Sequence, residues 1–456
     1  MKERILLLFI VLGLTAFIYI FQSYTIWGLA LLVSLMSVYA IFTNIAYKIK
    51  QRKDLKSPPQ RNENYKPFVS IMIPAHDEES VIANTIETVL KLDYPNFEII
   101  AIDDRSSDNT ASVLKDLEKK YPNKVIAFIR PKDAFPGKSA VLNDALEFAK
   151  GEAILVFDAD ATMEPNFLTN LVYELEPKDV GAVQARKVVR NKDVNLLTRC
   201  QNHEMTMDTH FQVGRDSVKG AVELRGNGEL IKRTALEDIG GWNNYTITDD
   251  LDMSTRLHIK GWDVRFCANT AVYEEAIMYL FPLYKQRRRW LEGTIRRYLE
   301  YFWDILTSKK MSLRVRIDMI AYISEFIMPG WFIIEIGILL AKIVLKDAPP
   351  HILMSSVIMG CIIGFGFLMA CRYSLRRYDN IPRTDALIQS IYTSAYLLII
   401  WFPLVLFIGF KILFMKKDMN WGKTAHGLIQ HEHAIQKAKE KIKQAKEELK
   451  KLLLTK

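Results

Sequence analysis

The chain has 456 residues, a formal net charge of +9 and a hydrophobic fraction of 50%. That length allows two or three domains, and the four isolated cysteines show neither a disulfide framework nor the spacing of a zinc site. The positive charge could suit nucleic acid, but much of it lies beside apolar runs and in the C-terminal tail, where anionic membrane lipids explain it. We therefore expect a membrane protein with no nucleic-acid partner.

Two apolar runs begin the chain, and each approaches the ~20 residues that cross a bilayer. We predict a transmembrane helical hairpin over residues 1–49 and a basic juxtamembrane linker over residues 50–66. A cleaved signal peptide is the alternative for the first run, but no small-residue cleavage site follows it. Basic residues at both ends of the hairpin place both ends in the cytoplasm, so we expect the next domain to be cytosolic.

Residues 67–300 have the pattern of a soluble α/β domain, in which short apolar runs alternate with helical spacing. The runs are FVSIMIP (68–74), FEIIAID (97–103), VIAFIR (125–130) and AILVFD (153–158). This alternation predicts a parallel sheet covered by helices on both faces, and ligands of such sheets bind beyond the carboxyl ends of the strands.

Acidic pairs follow two of these runs. Asp103 and Asp104 begin the segment DDRSSDNT, and Asp158 and Asp160 belong to DADA. Two carboxylates on an extended segment can bind one hard cation, whose remaining ligands are phosphate and water. Surface turns also produce such pairs, so it is their position at a strand end that favours a metal-diphosphate site.

Six motifs then occur in order along the chain. They are IPAHDEE (73–79), IDDRSSDNT (102–110), PGKSAVLNDAL (136–146), FDADA (157–161), TITDDLDMSTRLHIKGWDV (246–264) and KQRRRW (285–290). The set resembles the membrane-embedded, processive-type family 2 glycosyltransferases, which include synthases of cellulose, chitin, hyaluronan and poly-N-acetylglucosamine and a bacterial group that glucosylates diacylglycerol. The resemblance implies a Rossmann-like, nucleotide-sugar-binding catalytic domain of the A type, inserted between N-terminal and C-terminal transmembrane helices.

The resemblance also implies a binding site for a UDP-sugar. The residues it assigns there are Pro74, Ala75, Glu78, Asp103, Asp104, Lys138 and Asp158. Asp103 or Asp104 would grip the uracil and ribose, and the Lys138 ammonium would contact nucleotide or diphosphate. His76 and Asp77 stand where the family usually has Tyr-Asn, and we interpret His76 as a polar loop residue rather than a ligand.

Metal and base are assigned in the same way. Asp160 would hold the Mg²⁺ or Mn²⁺ ion that neutralises the leaving diphosphate. Asp250, the last acid of a T-D-D segment, would be the general base, with Asp252 as a competitor. The same segment also reads as a helix start, with Thr248 at the N-cap and acids in the first turn, which alone could explain the acids.

The basic motif KQRRRW completes the site. Its family signature is Q-x-x-R-W, here Gln286, Arg289 and Trp290. The resemblance implies that the arginine contacts the diphosphate and that the tryptophan presents a flat face to the acceptor. Arg287 and Arg288 lie outside the signature, and we expect them to face solvent or lipid headgroups.

The C-terminal third returns to the membrane. We predict an interfacial segment at residues 301–317, transmembrane helices within residues 318–415 and a basic amphipathic tail at residues 416–456. The tail could lie on anionic lipid or form a short coiled coil. Two acids in the first apolar run, Glu325 and Glu335, are candidates for a polar path.

Function follows from the resemblance. We expect an inverting, metal-dependent hexosyltransferase that uses UDP-glucose, or secondly UDP-N-acetylglucosamine, and forms a β linkage to a lipid of the diacylglycerol type. The alternative is a processive polysaccharide synthase that extends and exports a growing glycan of the poly-N-acetylglucosamine, hyaluronan or glucan type. A more remote alternative is a non-catalytic scaffold that binds a nucleotide sugar. An accessory subunit would leave no trace in this sequence.

Overall fold

The computed structural model describes residues 2–59, 61–345, 350–415 and 417. An α/β domain occupies the middle of the chain, and long apolar helices from its two ends pack beside it. The predicted amphipathic tail lies outside the described residues apart from Lys417.

The described strands are β1 Val69–Ala75, β2 Phe97–Asp103, β3 Val125–Ile129, β4 Ala153–Val156, β5 Thr162–Met163, β6 Val180–Val189, β7 Glu229–Lys232 and β8 Asp263–Glu274. The described helices are α1 Lys2–Ile20, α2 Gln22–Lys56, α3 Ile82–Val89, α4 Thr110–Lys120, α5 Lys138–Leu146, α6 Phe167–Leu175, α7 Leu196–Ser217, α8 Arg233–Asp238, α9 Asp249–Lys260, α10 Leu280–Glu300, α11 Phe302–Thr307, α12 Leu313–Val344, α13 Pro350–Tyr378 and α14 Arg383–Phe414.

The strands form one eight-stranded sheet in the order β3-β2-β1-β4-β7-β6-β8-β5. The four strands predicted from the apolar runs are parallel, as expected. The remainder makes the sheet mixed, because β7 runs antiparallel to both β4 and β6, and β5 runs antiparallel to β8. The expectation of a purely parallel sheet was therefore wrong beyond β4, where the strictly alternating βα pattern ends.

The core lies on both faces of this sheet. Strand β1 is buried throughout, and its successive side chains point to opposite faces. Ile71 and Ile73 pack with α3 and α6 on one face, while Met72 packs with α5 and α9 on the other. A strand covered on both sides must be a continuous apolar run, which is the pattern that the sequence shows.

Helices α1 and α2 cover the two N-terminal apolar runs, and α2 is longer than predicted. Helix α2 continues to Lys56 through residues expected to form a linker. Lys50 pairs with Asp216 at 2.6 Å, and Gln51 accepts a hydrogen bond from Arg377, so contacts with the catalytic domain and α13 hold the extension in place.

Apolar helices lie near both termini. Among the described residues, Lys2–Ile20, Ala30–Lys56 and Arg383–Phe414 are long and apolar enough to cross a membrane. Helices α12 and α13 cover the other two apolar runs of the C-terminal third. The side chain of Glu325 lies outside what the structure describes, whereas Glu335 is buried.

Candidate active site

One continuous cavity of about 1510 Å³ opens beyond the carboxyl ends of the central strands. Most of the predicted site residues line it, namely Pro74, Glu78, Lys138, Asp158, Asp160, Asp250, Gln286, Arg289 and Trp290. The structure therefore brings together residues that are more than 200 positions apart in the chain. Ala75, Asp103 and Asp104 lie outside this lining, at the ends of β1 and β2.

The acidic pair after β2 divides into two different environments. Asp104 is fully buried and bound by two arginines, Arg105 at 2.8 Å and Arg130 at 2.5 Å. Asp103 is 2% exposed, and its Oδ2 accepts a hydrogen bond from the Ser106 backbone N–H. Its buried Oδ1 has no hydrogen-bond partner among the described residues. Since a buried acceptor is costly to leave unpaired, Asp103 is the member of the pair suited to a ligand.

The His76–Asp77 departure from the family pattern has a local structural role. His76 Nδ1 lies 2.6 Å from the Asp104 carbonyl oxygen. Asp77 has a φ of 55°, and its Oδ1 accepts hydrogen bonds from both the backbone and the hydroxyl of Ser107. These contacts join the loops after β1 and β2. Because His76 also lines the cavity, its interpretation as a polar loop residue rather than a ligand stays a prediction.

Lys138 lies at the first position of α5, directly after Gly137, whose φ of 114° favours glycine. Its Nζ contacts Asp158 Oδ1 at 2.6 Å and donates to the Gly226 carbonyl oxygen at 2.8 Å. Burial opposes the charge of Lys138, but the neighbouring carboxylates, first Asp158, hold its pKa above the usual lysine range. The site therefore contains a permanent cation beside the predicted nucleotide side.

Asp250 lies in the first turn of α9, which begins after Thr248. Burial and the charge of Asp249 raise the pKa of Asp250 to about 6. The segment does begin a helix, with Thr248 at the N-cap position and Asp249, Asp250 and Asp252 in the first turn, although the Thr248 side chain makes no capping hydrogen bond. A cavity-lining carboxylate with a raised pKa suits a general base, because a general base works best when its pKa lies near the working pH.

Asp252, the competitor for the role of base, is committed elsewhere. Its carboxylate pairs with Arg256 at 2.6 Å, and it accepts hydrogen bonds from Tyr301 at 2.8 Å and Asn243 at 3.1 Å. It is buried and does not line the cavity. These contacts favour Asp250 over Asp252 as the base.

Glu229, which the sequence analysis missed, contacts Gly226, the same residue that lies against the predicted base Asp250. It is fully buried at the start of β7, and its Oε2 accepts a hydrogen bond from the Gly226 N–H at 3.2 Å. Burial, followed by the charges of Asp249 and Asp250, raises the pKa of Glu229 to about 8. Its place directly after the GNG turn (226–228) was the available signal, but only the fold brings it to α9.

The three signature residues of KQRRRW lie on α10 and face the cavity. Arg289 donates to the Ile247 carbonyl oxygen at 3.5 Å, on the loop that leads to the predicted base. The Trp290 ring is stacked under the Arg287 guanidinium, with 4.0 Å between guanidinium carbon and ring centroid. The helix thus presents a cation and an aromatic face to the same space.

Arg287 itself is not exposed, so that expectation was wrong. It is 1% exposed and pairs with Glu204 of α7 at 2.8 Å. Glu204 also accepts hydrogen bonds from Tyr396 at 3.1 Å and Trp401 at 3.0 Å, both on α14. The Glu204 carboxylate, which is far from Arg287 in the sequence, neutralises it, and the position of Arg287 next to Arg288 gave no indication of this. Arg288 is partly buried, with its guanidinium over the Phe407 ring.

A second cation that the sequence analysis missed is Lys187 of β6. Its Nζ pairs with Glu274 Oε2 of β8 at 2.7 Å and lies 5.9 Å from the Trp290 ring centroid. Burial opposes its charge, but Glu274 and then Asp158 hold the pKa of Lys187 above its usual value. Lys187 follows no recognisable motif, so local spacing could not reveal it.

The other end of the cavity is formed by apolar helices. Residues of α2, α12, α13 and α14 line it, including Met36, Phe332, Phe365, Leu397, Phe402 and Val405. The same space therefore extends from the acidic residues of the sheet to an apolar surface among the helices near the two termini.

Comparisons with known proteins agree with this geometry. Residues 67–293 match the model of a glycosyltransferase-like family 2 domain. A β-monoglucosyldiacylglycerol synthase of Trichormus variabilis is 37% identical over 79% of this chain and 76% of its own length. The chain belongs to glycosyltransferase family 2. As a member of this family, it is a hexosyltransferase. The family suspected from the sequence motifs is thus confirmed.

This glycosyltransferase is also similar to two more distant proteins. A poly-β-1,6-N-acetyl-D-glucosamine synthase of Staphylococcus epidermidis is 29% identical over 61% of this chain and 68% of its own. The solved structure of a Pyrobaculum calidifontis mannosyltransferase, in complex with GDP-Man and Mn²⁺, aligns with a TM-score of 0.55 at 19% identity, over 81% of this chain and 99% of its own. At that identity the likeness supports the fold alone, and it confirms the predicted α/β fold of the glycosyltransferase A type.

The site of this glycosyltransferase suits a divalent cation that is shared with substrate. Among the described residues, no three His, Cys, Asp or Glu side chains converge as a complete metal cage. Asp160 is buried at the cavity wall, where its Oδ2 accepts the Glu275 backbone N–H at 3.3 Å. One or two carboxylates completed by phosphate and water form the usual magnesium arrangement in nucleotide sites. Asp160, with Asp158 beside it, fits that donor set.

Proposed function

We propose that this enzyme transfers glucose from UDP-glucose, in β linkage, to a diacylglycerol-type acceptor at a membrane. UDP-N-acetylglucosamine is the second candidate donor. The Trichormus variabilis relative, which is 37% identical, is a β-monoglucosyldiacylglycerol synthase, and this supports the proposed sugar and acceptor.

The observation that carries the proposal is the continuous cavity. Its polar end holds Asp158, Asp160 and Asp250, and its other end is lined by apolar side chains of α2, α12, α13 and α14. Such a surface keeps the CH₂ groups of an acyl chain out of water, where each exposed group would cost about 0.8 kcal/mol. A glycan has many hydroxyls that would lose hydrogen bonds to water there, so the apolar lining favours a lipid over a growing polymer.

The proposed reaction is a single displacement. The acceptor hydroxyl oxygen attacks the anomeric carbon, its proton passes to the Asp250 carboxylate, and the bond to the diphosphate oxygen breaks so that UDP leaves. Lys138 and Arg289 supply positive charge for the diphosphate, which suits its phosphate oxygens. Asp103 would receive the nucleoside. Attack from the face opposite the diphosphate inverts the α-linked donor to a β product.

A bound Mg²⁺ or Mn²⁺ would act as a Lewis acid and neutralise the leaving diphosphate. Asp160 would hold this ion, with Asp158 beside it. We further propose a multi-pass membrane protein whose catalytic domain faces the cytoplasm, as the basic residues around α1 and α2 indicate. The anionic lipids expected around those residues are part of the same proposal.

The test is a product analysis. Membranes that contain the protein are incubated with labelled UDP-glucose, or with labelled UDP-N-acetylglucosamine, in the presence of Mg²⁺ or Mn²⁺. We expect the glucose label to appear in the organic phase as a one-sugar, β-linked lipid, and to be absent with Asp250→Asn. Label in a large water-soluble or insoluble polymer would overturn the lipid acceptor and support the processive synthase. An α-linked product would overturn the single displacement.

A further inference from the structure

Lys187 and Glu274 form a buried ion pair inside the cavity that neither the motifs nor the comparisons assign. Their side chains are 10% and 16% exposed, and both line the cavity. They come from β6 and β8, which run parallel, with Lys187 opposite Val272 and Glu274 opposite Val189. The pair is therefore held by paired strands rather than by a mobile loop.

The position of the pair is defined by three neighbours. The Lys187 ammonium lies 5.9 Å from the Trp290 ring centroid, and Lys187 lines the same cavity as Asp158 and Asp250. Asp158 marks the predicted nucleotide side and Asp250 the predicted base. In a single displacement, the group that lies between the leaving diphosphate and the base is the transferred sugar.

The chemistry of the pair suits sugar hydroxyls. An ammonium has three N–H donors, and a carboxylate has two acceptor oxygens. Glu274 Oε2 takes one Lys187 donor, and the Arg225 carbonyl oxygen lies 3.4 Å from the same nitrogen. A hydroxyl both donates and accepts, so it can bind both members of the pair at once.

We infer that Lys187 and Glu274 bind the hexose of the nucleotide sugar and help to select it. This inference rests on the proposed function, because it takes a UDP-hexose as donor. It assigns these two residues to the hexose itself, apart from the nucleotide and the diphosphate.

The experiment compares UDP-hexose with UDP, which lacks the hexose. For Lys187→Met and Glu274→Gln, we expect kcat/KM for the UDP-hexose to fall about tenfold to hundredfold, the loss typical of a hydrogen bond to a charged group. The inhibition constant of UDP should change less than about twofold, because UDP would lose no hydrogen bond to a charged group. Lys120→Met is the matched control, because Lys120 pairs with Glu87 on the exposed surface.

Two outcomes would overturn the inference. Equal losses for UDP and UDP-hexose would assign the pair to the diphosphate or to structure, and a change confined to the KM of the acceptor would assign it to the acceptor. UDP binding by each variant also reports whether its site has folded. The proposed function is tested separately by the wild-type protein, whose lipid product is identified first, and the variants are then assayed with whichever UDP-hexose the wild type uses.

Discussion

Acidic side chains in this site differ in their roles according to the charged partners that the fold places beside them. Asp104 and Asp252 are neutralised by arginines, whereas the fully buried Glu229 and the half-buried Asp250 form no ion pair with an arginine among the described residues. Nearby like charges and burial both favour the protonated form of a carboxyl group, and they raise the pKa of Asp250 and Glu229. The first pair is thus structural, and the second is available for proton chemistry.

Asp250→Asn should abolish transfer while leaving UDP binding intact, because the amide cannot accept the acceptor's proton. We expect kcat to fall by about 10²–10⁴-fold, the usual contribution of a general base. Asp252→Asn is the control, and it should lower the melting temperature through the loss of the Arg256 pair while kcat of the folded enzyme is kept. Equal kcat losses in the two variants would contradict the assignment of Asp250.

The rate of transfer should also depend on pH. Because the pKa of Asp250 is raised to about 6, the base is ionised above that pH and protonated below it. We expect kcat/KM to fall as the pH is lowered through about 6, in a profile recorded with saturating metal. A rate that stays level down to pH 4.5 would show that the base is another group.

Glu229→Gln should keep activity near neutral pH, since the Glu229 pKa of about 8 means that its side chain is largely neutral there. Above pH 8 the wild-type carboxyl ionises next to Asp250, and we expect a loss of rate that the glutamine variant does not show. The measurement is a pair of pH–rate profiles between pH 6 and 9.5. Loss of activity in the variant at pH 7, with UDP binding intact, would mean that the ionised carboxylate is required.

At the scale of elements, the turn between α7 and β7 joins the cation, the base and Glu229. The Gly226 carbonyl oxygen accepts a hydrogen bond from the Lys138 ammonium, and the Gly226 N–H donates to Glu229. Gly226 also lies against Asp250. Its φ of 76° favours glycine, and a Cβ there would come within 3.3 Å of Asp250 Oδ2. A short turn thereby fixes three functional side chains relative to one another.

Gly226→Ala should therefore damage catalysis more than stability. Gly240→Ala is a matched control, because Gly240 has a φ of 78° and open space around its Cβ position. Both variants should lose about 1–2 kcal/mol from the positive φ, measured as the free energy of unfolding. Only the first should also lose kcat, since its methyl group displaces Asp250. Equal activity in the two would show that the base tolerates the shift.

At the scale of the whole molecule, polar contacts bind the catalytic domain to the terminal helices. Asp379, just after α13, accepts hydrogen bonds from Arg186 of β6 and from Asn202 and Thr206 of α7. Helix α10 carries the Q-x-x-R-W signature, and its Glu292 pairs with Lys411 of α14. These contacts hold α10, which carries Trp290, next to the apolar helices that line the cavity.

Ala370→Trp should obstruct that apolar end, because Ala370 lines the cavity on α13. We expect the KM for a long-chain diacylglycerol to rise about tenfold, equivalent to ~1.4 kcal/mol, while the KM for UDP-glucose is kept. Dioctanoylglycerol should be affected less, since its chains fill less of the space. Ile388→Trp is the control, because Ile388 is exposed and does not line the cavity. Equal effects on both acceptors would place the acyl chains elsewhere.

The sequence by itself determined the elements whose signals are local. Continuous apolar runs predicted β1 to β4, and the position directly after β4 indicated Asp158 and Asp160, because parallel strands bring their carboxyl ends to one edge. Lys138 came from the motif resemblance instead. The ordered motifs led to Asp250 and to Gln286, Arg289 and Trp290, which the structure brings to one cavity. These are properties of spacing along the chain and of residue type.

Only the tertiary structure decided which charges are neutralised and by what. The antiparallel placement of β7 brings Glu229 to the base, and the pairing of β6 with β8 brings Lys187 to Glu274. Arg287 is buried because Glu204 of α7 meets it from 83 positions away. Burial and charge pairing arise from distant segments, and the energy of a charged group depends on those partners more than on its neighbours in the sequence.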